Sequence, residues 1–183
     1  MNLTDGITLF AFATAATGAA VDYRTGHIPN WITLGSLAAA PLLWFGAVSA
    51  SEGFGPGLSA LGTSLLGALA CGIGPLFMFW RGGLGGGDVK LFAALGALLG
   101  PRLGLNAEMF SFVAMTLFFP GKLAWEGKLL RVLWGTLRLA LNPFVSASAR
   151  RPAPEELRTR LRLGPAIFAG TLVAIAAAHR SLA

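Results

Sequence analysis

The chain has 183 residues, of which 55% are hydrophobic and only 12% charged, with a mean hydropathy of +0.68 and a formal net charge of +6. A soluble domain carries about a quarter charged residues, so this composition excludes one and indicates a single integral-membrane domain over residues 1–183, with no room for a separate soluble enzyme. Nine of the fourteen Lys and Arg fall between Lys122 and Arg162 beside apolar spans, a placement that fits a cytoplasmic face and anionic lipid and argues against nucleic acid.

The expected fold is all-α: a polytopic membrane protein of about six transmembrane helices plus a basic amphipathic helix at the interface. The first apolar run, residues 6–21, lacks the basic segment ahead of it that a signal peptide needs and carries Asp5 instead. It reads as a first span with its N-terminus outside. Asp22 closes it, and a polar turn from Tyr23 to Asn30 follows, in which Pro29 disfavours helix at Ile28. Residues 31–50 form the second span, opened by Trp31, and the loop 51–57 with Glu52 is read as external. The third span, 58–80, ends on Trp80. A short fourth helix, 89–100, is rich in Ala and Gly, which let helices pack closely in lipid. At about 18 Å it is too short to span, so it is expected to start below the membrane surface. A turn at Pro101 to Asn106 leads to a fifth span, 107–120. From Lys122 a polar stripe of Lys128, Arg131, Gly135, Arg138 and Asn142 recurs at helical spacing against Trp125 and a series of leucines, the pattern of a helix lying in the headgroup plane. A tilted extension of the fifth span is the alternative. Residues 146–162, with Pro152, Pro154 and five arginines, read as a mobile cytoplasmic loop that completes the basic 122–162 segment, and 164–178 as the sixth span.

Between the third and fourth helices stands Arg81-Gly82-Gly83-Leu84-Gly85-Gly86-Gly87-Asp88-Val89-Lys90. Five glycines in six positions oppose helix, and irregular backbone at membrane depth is tolerated only where protein or water covers it. An extended chain could be laid beside such a loop, because no Cβ obstructs its approach. A phosphate loop is excluded by spacing: the last glycine precedes Asp88 rather than a Lys followed by Ser or Thr. A carboxylate at this depth suggests function; the plainer reading makes Asp88 only the N-cap of the helix at Val89. Lys90 has three available roles, tuning Asp88, holding substrate or snorkelling to headgroups, of which the last is favoured.

Charge counting sets the orientation. With both termini outside, twelve Lys and Arg lie inside and two, Arg102 and Arg180, outside, as the positive-inside rule requires. Asp22 and Asp88, 66 positions apart, then both arrive at the cytoplasmic boundary, whereas Asp5, Glu52 and Glu108 fall outside. Two neighbouring aspartates cannot both ionise cheaply, so one proton is shared. The ionised member can take a proton from water while the other donates one, which is hydrolysis with no metal and no cofactor. Cys71, the single cysteine, excludes a disulfide framework and a paired-cysteine zinc site.

Asp22 with Ile28-Pro29-Asn30, and Gly85-Gly86-Gly87-Asp88-Val89-Lys90-Leu91, resemble the type IV prepilin peptidase family, GxGD-type intramembrane aspartic proteases that remove the leaders of pilin precursors at the cytoplasmic membrane face. Leu163-Gly164-Pro165-Ala166 is similar to the short peptidases of Flp, or tight-adherence, pilus systems. The resemblance implies Asp22 and Asp88 as the catalytic pair, with Gly85 and Gly87 as the glycines of the motif. Gly86, Lys90, Pro29 and Asn30 would form the loop or touch substrate. It also implies a prepilin substrate, pilus assembly machinery as a partner and a bacterial inner-membrane location. Longer members add a half with paired cysteines and N-methyltransferase activity; with one cysteine, this chain is expected to be a peptidase without methylation. Eukaryotic relatives pair Tyr-Asp with GxGD and Pro-Ala-Leu, and here Asp22-Tyr23 and Pro165-Ala166-Ile167 depart from that pattern. Two other functions remain: a GxGD protease for other signal-peptide-like helices, or a transporter or assembly subunit whose carboxylates bind a cation.

Overall fold

A computed structural model describes residues 3–127, 129–141 and 163–180. They form helices α1 (Leu3–Thr25), α2 (Asn30–Glu52), α3 (Phe54–Trp80), α4 (Gly86–Trp125), α5 (Leu129–Leu141) and α6 (Gly164–Arg180), with no strand among the described residues. Three helices, α2, α3 and α4, are long and apolar enough to cross a membrane. The chain falls into two compact units: Met1–Ala114 with Arg162–Ala183, and Met115–Leu161.

α4 is not one rod. Gly100 has φ 76° and ψ 170°, a conformation open to glycine and costly for residues with a Cβ. On a straight helix Phe92 and Phe112 would stand about 30 Å apart. Their rings instead stack at 5.6 Å between centroids. A Cβ built on Gly104 would lie 2.9 Å from the Cα of Gly96. Gly100 is therefore the tip of a helical hairpin, with limbs at residues 86–99 and from 101 onward. The expected turn at Pro101–Asn106 is helical, because Pro101 sits where a second helix starts and its missing N–H costs nothing there.

The hairpin leaves carbonyls at the end of its first limb without helical partners. Ala97 would be bonded by the N–H of residue 101, which is proline. Its carbonyl instead accepts from the Ser64 hydroxyl of α3 at 2.8 Å, and the Leu98 carbonyl accepts from Trp44 Nε1 of α2 at 3.0 Å. Stranding a buried acceptor costs about 1–3 kcal/mol. Ser64→Ala and Trp44→Phe are each expected to lower thermal stability in detergent by about that amount. Melting unchanged in both would mean that water serves these carbonyls.

Close packing of backbones carries the first unit. Gly67 of α3 meets Gly96 of the first limb, and Gly170 of α6 meets Ser111 of the second limb. α1 packs on α2 and α6, joined by the Thr14–Ser36 hydrogen bond (3.0 Å) and by Phe12 against Phe168 (5.3 Å). Such contact between small residues is how helices associate where lipid removes the hydrophobic drive.

Several expected boundaries are corrected. The loop at 51–57 shrinks to Gly53 (φ 99°) between α2 and α3. α1 continues to Thr25, so Asp22 lies in its last turns rather than after it, and α4 starts at Gly86, taking Gly86 and Gly87 out of the loop. In the second unit, α4 continues past Lys122 to Trp125. A turn at Gly127 (φ 66°) then separates a strongly amphipathic α5. Lys128, Asn142 and the predicted loop 146–162 lie outside the described residues.

Candidate active site

The end of α1, the start of α4 and the start of α6 meet at one end of the first unit. Asp22 reaches this point because α1 stays helical through Thr25, and Gly26 then bonds back to the Asp22 carbonyl (2.8 Å). The chain runs through Ile28, which is buried, and extended Pro29 (φ −64°, ψ 141°), and α2 begins at Asn30. α3 closes with the Gly83 N–H on the Met78 carbonyl and the Gly82 N–H on the Phe79 carbonyl, the Schellman arrangement.

Asp88 is the third residue of α4. Its Oδ2 accepts the N–H of Gly85, just ahead of the helix, at 3.2 Å. This is the return half of a capping box, not the simple N-cap at Val89 that the sequence suggested. Gly85 leaves room for this bond: a Cβ there would lie 2.8 Å from Asp88 Oδ2, and the carboxylate would have to shift. Gly87 lets the start of α4 dock on the first loop, since its Cβ would lie 3.2 Å from Cβ of Ile28. Gly86 has no such constraint, its nearest neighbour being the Phe79 ring at 3.5 Å.

Asp22 is 5% exposed and Asp88 7%, and they are close enough for their charges to repel. The Asp22 Oδ2 accepts the backbone N–H of Gly164, the first residue of α6, at 2.9 Å. Each carboxylate thus has one oxygen tied to a helix N-terminus, where negative charge is favoured. One oxygen on each remains without a protein partner among the described residues. Two acids so held can shuttle a proton to and from a small molecule between them.

Lys90 Nζ donates to Asn30 Oδ1 at 2.9 Å. It fastens the start of α2 to the start of α4, beside Pro29, which is half-buried. Two features escaped the sequence reading. Nothing in the spacing links Gly164 to Asp22, 142 residues away. Glu108 is buried in the second limb against Gly74, its Oε2 without a partner among the described residues. No group of three or more His, Cys, Asp or Glu able to hold a metal occurs among the described residues.

The sequence profile described as the type IV leader peptidase family matches residues 7–120, which include both aspartates. The prepilin leader peptidase/N-methyltransferase of Dickeya chrysanthemi is 34% identical to this chain over 122 residues, covering 60% of this chain and 40% of that protein. The chain therefore spans well under half of the curated relative that it matches. No solved structure matches it.

Proposed function

The chain belongs to the type IV leader peptidase family, and on that premise we propose that it is a membrane aspartic endopeptidase that removes the leader of type IV, Flp-like prepilins. One observation carries this: Asp22 and Asp88, 66 positions apart and on different helices, are buried at one end of the first unit, within electrostatic reach of each other.

The chemistry follows from that pair. A water between the carboxyls loses a proton to the ionised aspartate as its oxygen attacks the scissile carbonyl carbon. The carbonyl oxygen takes the proton of the other aspartate, giving a tetrahedral diol. When the diol collapses, the C–N bond breaks and the departing amine collects a proton from the pair. Gly85, exposed just ahead of α4, leaves the approach to Asp88 low enough for an extended substrate backbone. Pro29 and the Asn30–Lys90 bond hold the first loop beside the start of α4. The second limb and α6 complete a six-span bundle, with α5 lying on anionic lipid, both termini outside and the aspartates at the cytoplasmic face of the bacterial inner membrane. Pilus assembly machinery is the partner that would receive the product.

The purified protein in liposomes, given a pilin precursor with its leader, is expected to yield the shortened pilin with a single new N-terminus. A precursor left intact would overturn the assignment. Orientation is tested separately, by cysteines introduced at Glu52 and Arg81, both exposed, in a Cys71→Ala background. Arg81→Cys is expected to react with a membrane-impermeant label only from the cytoplasm, and Glu52→Cys only from outside. Labelling of both from one side would contradict the six-span topology.

A further inference from the structure

Gly164 opens α6 with Leu163 ahead of it, and the Ile167 N–H bonds back to the Leu163 carbonyl (2.9 Å), so the helix is formed from its first turn. The Gly164 N–H is among those that no helical carbonyl can satisfy. It is spent on Asp22 Oδ2 in a buried bond of 2.9 Å. A side chain at 164 would destroy this arrangement. Its Cβ would stand 2.7 Å from Cβ of Asp22, 2.9 Å from Oδ2 and 3.0 Å from Cα of Ala19. Asp88 is held differently, by a longer and less buried bond (3.2 Å) from Gly85, three residues before it.

Resting on the peptidase reading above, we infer that Gly164 is the positioning residue that makes Asp22 the proton acceptor of the pair and leaves Asp88 as the donor. A hydrogen bond to the charged form of a carboxyl favours that form, and a helix N-terminus adds to it. Both aspartates have such a bond, but that of Asp22 comes from a separate helix, is shorter (2.9 against 3.2 Å) and is buried; it orients one oxygen and leaves the other for water. From α4, Asp88 lies close enough to Asp22 to feel its charge. Tyr23 and Arg24 of α1 and His27 beyond it are exposed. Lys90 of α4 is bonded to Asn30, and His179 and Arg180 of α6 are in its last turn. Arg162, two residues ahead of Gly164, lies outside the described residues.

The test replaces the Gly164 amide by an ester, putting glycolic acid at this position by semisynthesis; this deletes the N–H and adds no bulk. The readout is the pH dependence of kcat/KM on a pilin precursor, whose acid limb reports the acceptor and whose basic limb reports the donor. The expected result is an acid limb moved up by roughly one pH unit, a basic limb unmoved and activity recovered above the new limb. Gly164→Ala, which retains the N–H but displaces Asp22, is expected to lower kcat at least tenfold with KM little changed. An ester enzyme whose acid limb stays in place, or whose basic limb moves instead, overturns the inference. So does wild-type kcat in Gly164→Ala. The peptidase reading fails by a different result, wild-type cleavage by Asp22→Asn or Asp88→Asn.

Discussion

Asp22→Asn is expected to slow cleavage of a pilin precursor by roughly 10²–10⁴-fold, the usual cost of removing a positioned acid–base group. The substitution keeps the size of the side chain and an oxygen for the Gly164 N–H, so α1 and α6 should still meet. Asn cannot take a proton from water. Because the two aspartates act on one water, the Asp22→Asn/Asp88→Asn double variant should be little slower than either single variant, since groups that work as a unit do not lose rate additively. Rates that multiply in the double variant would show two independent groups.

The second large effect is structural. Gly96→Val is expected to prevent recovery of a monodisperse, cooperatively melting protein in detergent. A Cβ at 96 would meet the carbonyl of Gly67 and lie 2.7 Å from Cβ and 2.8 Å from Sγ of Cys71. Overpacking a core costs about 1–3 kcal/mol where side chains can move. Here the first obstacle is backbone, and the branched side chain of Val adds two methyl groups that also need room. Wild-type melting of Gly96→Val would mean that α3 and the first limb of α4 are not in backbone contact.

The convergence of Asp22 and Asp88 was legible in the sequence, because the two apolar runs between them, 31–50 and 58–80, bring the chain back to the side it left. The extent of the glycine loop was not. Gly86 and Gly87 oppose helix by propensity, yet Asp88 caps the turn that contains them and Ile28 packs against Gly87, so tertiary contacts override the local preference. The hairpin at Gly100 was foreseen as a six-residue turn, since Pro101 and Asn106 are turn-forming residues. Its tightness depends on Ser64 and Trp44 accepting the job of capping carbonyls, which no local pattern reveals. Glu108 was assigned a side by span counting alone, which carries no information on its burial, a tertiary fact. Gly164 attracted notice only through its resemblance to related peptidases. Its bond to Asp22 closes a gap of 142 residues through an amide that every residue but proline possesses.

The plainest rival to the central claim is that Asp88 does no more than cap α4. The Gly85 N–H can bond to an amide oxygen as it does to Asp88 Oδ2, so Asn keeps the bond that closes the first turn. Asp88→Asn therefore separates capping from catalysis. The measurement is cleavage of a pilin precursor by wild type and Asp88→Asn in liposomes with a chelator present, alongside the melting temperature of each. The account predicts full wild-type cleavage despite the chelator, nearly equal melting temperatures and an Asp88→Asn rate lower by roughly 10²-fold or more. Near-normal cleavage by Asp88→Asn, or wild-type cleavage abolished by the chelator, would contradict it.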